Sequence, residues 1–257
     1  SIPVMFLACL SLIADWEIYY RFSTAQEIAE NIPPFFNGIF LTSILFAAAF
    51  AFIFAVNRDE KYESALAEQS RDVLGMFLAA AGLLVLYNGI RLEIGNYFEL
   101  QYLLSASPDP RSAAYDLMSF NSDLKIFSFF WQLNFTMFFI SVLAFVNVQK
   151  FKNRILSFTT IALSVLSLTI FLTAGLYLLG ELRVNYLETE TLQVFTRSSY
   201  NIFIRYICYA FVAGLLYTFY KTIKQDFLRE TFGQTQIVFD LVLYLTLLFV
   251  LTAELIT

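Results

Sequence analysis

Long apolar runs separated by short charged connections dominate the pattern of hydrophobic and polar positions along this chain. A run of roughly 20 apolar residues crosses the hydrocarbon core of a bilayer as a helix. The runs that reach or approach this length are Phe35–Val56, Val73–Ile90, Ile126–Val148, Ile155–Leu179, Ile202–Tyr220 and Ile237–Val250 with an extension to Ile256, and a shorter run, Ile2–Ala14, precedes them. An isolated span must satisfy its own backbone hydrogen bonds in lipid, so each run predicts a helix. The expected fold is therefore all-α, a polytopic transmembrane bundle of about seven helices.

Composition agrees with this fold class and indicates that the chain is surrounded by lipid. Hydrophobic residues make up 59% of the chain and charged residues 14%, whereas soluble domains carry roughly 25% charged residues. The lipid bilayer is thus the expected surrounding, and other membrane-protein subunits are candidate partners. The net charge of −5 excludes a nucleic-acid partner, since phosphate binding needs a basic surface.

The chain shows no linker or soluble segment that would separate two domains. Residues 1–257 are therefore predicted to form a single transmembrane domain. Because the first run is short for a span and the last run stops close to Thr257, we expect this domain to be a fragment of a longer chain.

Basic residues are concentrated in every second connection. They are Arg58, Lys61 and Arg71, then Lys150, Lys152 and Arg154, then Lys221, Lys224 and Arg229. Connections rich in Lys and Arg face the cytoplasm. The pattern predicts a cytoplasmic N-terminus and an external C-terminal end, and our leading hypothesis places the protein in a bacterial inner membrane.

A short sequence repeat marks the end of two of the apolar runs. The tetrapeptide Asn-Tyr-[Phe/Leu]-Glu begins at Asn96 and again at Asn185, each time after an Arg and a Glu that lie two positions apart. This spacing predicts tandem two-helix hairpins. Transporters place substrate sites at the interfaces of such repeats, although any duplicated helical scaffold would show the same pattern.

Charged residues recur near the ends of spans that the orientation places on the external side. They are Asp15, Glu17, Arg91, Glu93, Glu181, Arg183, Arg205 and Glu254. Charges near hydrocarbon are costly, and they indicate either a functional layer or interhelical ion pairs. In the first interpretation these residues bind a substrate in a polar cleft, with the arginines receiving an anionic group. In the second they anchor the helices at the interface and fix their packing.

Positions within helices sharpen these expectations. Residues two apart lie on different sides of a helix, so Arg91 should not pair with Glu93, nor Glu181 with Arg183. Arg205, four residues inside its span, is expected to extend its side chain outward to the interface, with an ion pair to Glu181 as the alternative.

Small and amide side chains inside the spans predict helix contacts. Small residues that allow close approach of a neighbouring helix are Ser43, Ala47, Ala51 and Ala55 on one span and Gly75 and Ala79 on the next. Gln132 and Asn134 are expected to make interhelical hydrogen bonds.

Few residues are suited to catalysis or metal binding. The chain contains no histidine, and its two cysteines, Cys9 and Cys208, are far apart in the sequence. This removes histidine bases, catalytic triads and the usual zinc motifs. We expect no metal and no cofactor, and we assign no catalytic residue. Enzymatic activity is left open and is the less favoured alternative.

Two polar-marked segments carry a family resemblance. Gly180–Leu187 and the segment from Phe239-Asp240-Leu241 to Leu251-Thr252-Ala253-Glu254-Leu255-Ile256 resemble the large bacterial membrane proteins grouped as the domain of unknown function 2339 family. The resemblance covers mainly the last third of the chain. It implies an array of membrane helices with short connections and no catalytic residues.

Three functions remain open from the sequence. The leading hypothesis is a multi-pass membrane protein that binds or transports a small or lipid-linked solute through an outer polar cleft. The second is a non-catalytic scaffold or assembly subunit that packs against partner membrane proteins. The third is a membrane enzyme that acts on a lipid-linked substrate.

Overall fold

A computed structural model describes residues 33–58, 68–108, 118–187, 195, 197–225 and 235–256, together with residues 7, 10–12, 14 and 16. The described helices are α1 (Gly38–Arg58), α2 (Glu68–Leu104), α3 (Asp123–Val146), α4 (Arg154–Ile170), α5 (Leu176–Leu187), α6 (Tyr200–Ile223) and α7 (Thr235–Ile256). A two-stranded antiparallel sheet pairs β1 (Ser107–Pro108) with β2 (Met118–Ser119). The predicted all-α fold class is confirmed.

Six described helical segments are long and apolar enough to cross a membrane. The chain is thus a multi-pass membrane protein by the length and composition of its helices. The predicted first run, Ile2–Ala14, lies mostly outside the described residues.

Helix ends differ most from the sequence prediction. The second long run was expected to end at Ile90, but α2 continues to Leu104. The segment beyond Ile90 contains no proline, and its residues are mainly good helix formers, so the charged side chains there do not end the helix. Likewise, α4, a π-helical segment (Phe171–Gly175) and α5 form one continuous span that ends at Leu187 rather than Leu179.

The structure divides into two compact units, which we call the N-terminal unit (Ser1–Leu104) and the C-terminal unit (Ser105–Thr257). In the N-terminal unit, α1 packs along α2. Two glycines of α2 allow a close approach: a Cβ at Gly82 would lie 3.3 Å from the Phe50 Cβ, and one at Gly89 would lie 3.2 Å from the Ser43 Cβ. Of the predicted small-residue stripe on α1, Ser43 is buried, Ala47 is half-buried, and Ala51 and Ala55 are exposed.

In the C-terminal unit, α6 is the central helix and contacts α3, α4, α5 and α7. The helices α3 and α6 run in the same direction, since Asp123 bonds Asn201 near their beginnings and the Phe138 ring lies against the Phe211 ring further along. The span formed by α4 and α5, which lies between them in the sequence, and the following helix α7 run in the opposite direction. The ends of α5 and α7 therefore lie beside the beginnings of α3 and α6.

A second set of contacts fixes the other end of the C-terminal unit. The Asn147 side chain binds the backbone of Asn153 in both directions, donating to its carbonyl and accepting from its N–H, and also donates to the Ser157 hydroxyl. These bonds close the basic turn around Lys152, whose φ is 49°. The aromatic ring of Phe239 packs on Phe219 and holds the start of α7.

Candidate functional site: buried charged clusters

The buried carboxylate of the N-terminal unit is Glu93, which is 1% exposed. Its Oε2 accepts a hydrogen bond from the Phe35 N–H at 2.7 Å, and its Oε1 accepts one from the Asn37 Nδ2 at 2.8 Å. Asn37 in turn accepts a bond from the Phe40 N–H through its Oδ1, as a residue that caps a helix start does. Glu93 therefore ties α2 to the segment that begins α1 and places a negative charge beside the positive end of that helix. We call these residues the Glu93 cluster.

The C-terminal unit contains a second buried carboxylate, Asp123, in the first turn of α3. Its Oδ1 accepts from the Asn185 Nδ2 at 2.8 Å, and its Oδ2 accepts from the Asn201 Nδ2 at 2.8 Å and from the Arg197 Nε at 3.3 Å. Arg197 also donates from Nη1 to the Asn185 carbonyl oxygen. This Asp123 cluster joins the beginnings of α3 and α6 to the end of α5.

The third cluster consists of Arg205, Tyr209 and Glu254, and we call it the Arg205 cluster. Arg205 Nη1 donates to both carboxylate oxygens of Glu254, at 3.1 and 3.2 Å, and the Tyr209 hydroxyl donates to Oε1 at 2.6 Å. The side chain of Arg205 is 5% exposed and that of Glu254 is 34% exposed. The Arg205 Nε is buried, and no described residue accepts a hydrogen bond from it.

The surroundings of the Arg205 cluster are aromatic and apolar. The Tyr209 ring makes an edge contact with the Phe171 ring at 6.1 Å between centroids. Phe171 begins the π-helical segment between α4 and α5, and such segments occur frequently at functional sites. The neighbouring Cys208 is buried and accepts a hydrogen bond from the Asn134 Nδ2 at 3.5 Å.

The structure brings together only some of the predicted site residues. Arg205 binds Glu254, so the expected outward extension of its side chain and the alternative pair with Glu181 are both wrong, since the end of α7 lies close enough to bury the guanidinium. Glu93 binds Asn37 and Phe35, and Arg91 is exposed. Glu181 is exposed and Arg183 is partly exposed. Asp15 and Glu17 lie outside the described residues.

Of the two amide residues of α3 that were expected to bond other helices, one does so and the other does not. Asn134 makes the expected interhelical bond, to Cys208 on α6. Gln132 instead donates to the Ser128 hydroxyl of its own helix, because the two residues lie one turn apart.

Sequence reasoning missed Asp123, Arg197 and Asn201 as members of a cluster. A signal was present, since a carboxylate in the first turn of a helix and an amide one residue into the next parallel helix are favourable at positive helix ends. Asn185 was noticed only as part of the repeat, and its role as a donor to Asp123 depends on a contact 62 residues away in the sequence.

Within the described residues, no group of three or more His, Cys, Asp or Glu side chains could hold a metal ion. No family model, curated protein or solved structure matches the chain. The resemblance to the domain of unknown function 2339 family stays a prediction.

Proposed function

We propose that this chain is a non-catalytic subunit of a bacterial inner membrane whose helices pack against partner membrane proteins. The observation that supports this proposal is the use of its buried carboxylates. Glu93 and Asp123 each accept hydrogen bonds from two or three groups of other chain segments. Carboxylates bound in this way hold the ends of helices together, and because Glu93 and Asp123 are almost fully buried they are not accessible to a solute.

The exposed faces of α1 and α7, one helix from each unit, fit the same role. On α1, Leu45 and Phe52 are exposed, and on α7 Leu248 and Leu255 are exposed. In a membrane these side chains contact either lipid or another protein. Within each unit, no other described helix covers these exposed side chains. We therefore propose that a partner protein packs against them.

Photocrosslinking in the native membrane tests the proposal directly. A photoreactive amino acid would replace Leu45, Phe52 or Leu248 in turn, with the buried Leu78 as a matched control. A discrete protein adduct at one or more exposed positions, and none at Leu78, is the expected result. Adducts with lipid alone at every exposed position would overturn the proposed role.

The orientation belongs to the same proposal, with the basic connections in the cytoplasm. It places the start of α3 outside and the turn at Lys152 inside. Cysteine accessibility in intact cells tests the orientation. A cysteine that replaces the exposed Ser122 should react with a membrane-impermeant thiol reagent. A cysteine that replaces the exposed Lys150 should react only after the membrane is permeabilised. The reverse pattern would contradict the orientation.

Binding or transport of an anionic solute is the second candidate function. It is favoured by the Arg205 cluster, because a nearly buried guanidinium is well suited to bind an oxyanion and its Nε has no acceptor among the described residues. Replacement of Arg205 by Gln should abolish such binding, as measured by equilibrium binding to the purified chain, and unchanged affinity would reject this candidate.

A further inference from the structure

The Arg205 guanidinium is only partly bonded. A guanidinium has five N–H donors in a planar fork that matches two oxygens of one oxyanion. Both bonds to Glu254 come from Nη1, while Nε has no acceptor among the described residues. The Nε–H points to the side of the guanidinium away from Nη1, so Glu254 leaves part of the donor set of Arg205 unused.

Tyr209 provides a second donor on the same helix face. Residues four apart on a helix are neighbours on one side, so Arg205 and Tyr209 both point toward the same carboxylate. Together they form a cradle of donors for an oxyanion. The Glu254 carboxylate occupies this cradle in the structure, as an internal ligand from another helix.

Glu254 is the most easily displaced member of the cluster. Its side chain is one-third exposed, whereas that of Arg205 is 5% exposed. Release of its side chain would leave Arg205 and Tyr209 in place on the central helix α6. An external oxyanion could then bond Nη1 and the Tyr209 hydroxyl in place of the carboxylate, without movement of α6.

The position of the cradle favours a lipid as the source of the oxyanion. Next to Glu254 on α7, Leu251 and Leu255 are 60% and 87% exposed, so acyl chains can lie along this face. An arginine near the end of a membrane span lies at the depth of lipid headgroups. We propose that Arg205 and Tyr209 bind the phosphate of an anionic lipid, and that Glu254 occupies the site in the absence of that phosphate.

This proposal does not depend on the partner-subunit role. The photocrosslinks described above report protein neighbours and involve none of the three residues, so either proposal can fail alone.

The test uses the purified full chain in nanodiscs of phosphatidylcholine, with phosphatidylglycerol added as the anionic lipid and its binding measured by native mass spectrometry. The Glu254→Gln variant weakens the internal competitor and should bind phosphatidylglycerol about tenfold more tightly, the effect of one charge-assisted hydrogen bond. Arg205→Gln should lose the specific binding. Arg205→Lys should weaken it, since an ammonium lacks the fork. Lys125→Gln, which removes an exposed cation of the same unit, should bind as the parent does.

Thermal unfolding is a second measurement, which remains informative if one variant folds poorly. Glu254→Gln leaves a buried cation without its carboxylate, so it should unfold at a lower temperature in phosphatidylcholine and regain stability when phosphatidylglycerol is added. Parent-like affinity in Arg205→Gln, or unchanged or weaker affinity in Glu254→Gln, would overturn the proposal.

A competition arm distinguishes lipid from a free anion. Millimolar inorganic phosphate and acetate are expected to leave bound phosphatidylglycerol in place. If they displace it at these concentrations, the cradle takes free oxyanions and the assignment to lipid is wrong.

Discussion

In the N-terminal unit, glycine and phenylalanine bring α1 and α2 together, whereas in the C-terminal unit α4 buries a row of hydroxyl side chains. On α2, Gly82 and Gly89 meet Phe50 and Ser43 of α1 at close range. On α4, the side chains buried at helical spacing are Ser157, Thr160, Ser164 and Ser167. The hydroxyls of Ser157, Thr160 and Ser164 bond carbonyl oxygens three or four residues earlier in the chain, which satisfies these polar groups within the helix.

The difference teaches that the two kinds of contact should respond to different changes, although each unit also contains a buried carboxylate that joins helix ends, Glu93 in one and Asp123 in the other. Glycine contacts depend on volume, because an added side chain pushes the helices apart. A bundle whose helix ends are joined by a buried carboxylate depends on charge and hydrogen bonding. The expected outcomes below follow that contrast, from the largest effect to the smallest.

Asp123→Asn should have the largest effect, in the C-terminal unit. The change keeps the side-chain size but removes the charge that faces Arg197 and one of the acceptors used by Asn185 and Asn201. We expect a loss of about 3 kcal/mol in the free energy of unfolding, measured by titration with sodium dodecyl sulfate and circular dichroism. Glu181→Gln, at an exposed carboxylate of the same unit, is the control. Equal effects of the two changes would contradict a structural role for the Asp123 cluster.

Gly89→Leu should break the N-terminal unit through volume. Even a Cβ at this position would lie 3.2 Å from the Ser43 Cβ, and a whole leucine side chain should cost about 2 kcal/mol. Gly214→Leu is the matched control in the C-terminal unit, since a Cβ there meets nothing within 4 Å. The same unfolding titration measures both. A Gly89 variant as stable as the Gly214 variant would show that α1 and α2 do not need this approach.

Glu93→Gln should loosen the start of α1 without unfolding the hairpin. The amide keeps one acceptor oxygen, but it no longer supplies two acceptors to Phe35 and Asn37. A cost of about 1 to 2 kcal/mol is expected, visible as roughly tenfold faster hydrogen exchange of the Phe35 amide. Exchange in Glu99→Gln, at an exposed residue of the same helix, should match the parent. Unchanged hydrogen exchange in the Glu93 variant would show that this carboxylate does not stabilise the start of α1.

Lys152→Gly should give the smallest effect, and it should be a gain. Lys152 has a φ of 49°, a left-handed conformation that costs an ordinary residue about 1 kcal/mol. Glycine adopts it freely but loses more chain entropy on folding, so the net gain should be about 0.5 kcal/mol. Lys150→Gly, in the helical turn before it, should lower stability instead. If both glycines destabilise, the turn around Asn147 does not hold this conformation in the protein.

The sequence predicted the helices well and their ends poorly. Apolar runs report on lipid and therefore locate spans, but a helix such as α2 continues through Arg91 and Glu93 because nothing there breaks it. The expectation of a single domain over residues 1–257 stays a prediction beside the two compact units.

Partners of the buried charges could not be predicted because they come from distant positions. Arg205 and Glu254 are 49 residues apart, and Asp123 and Asn201 are 78 apart. One chain offers no local period that links such positions, so Glu181 was an equally good candidate for Arg205. The charged residues were recognised as unusual from their cost in lipid, whereas their pairing depends on which helix ends meet.

The parallel arrangement of α3 and α6 has a consequence for biosynthesis. Two membrane helices that run in the same direction cannot be joined by a short turn, so the whole span from Arg154 to Leu187 is made before α6. At a synthesis rate of about 5 to 20 residues per second, α3 waits several seconds in the bilayer for its main neighbour. During that interval the Asp123 carboxylate lacks Arg197 and Asn201, the two partners that the chain supplies only when it reaches the start of α6.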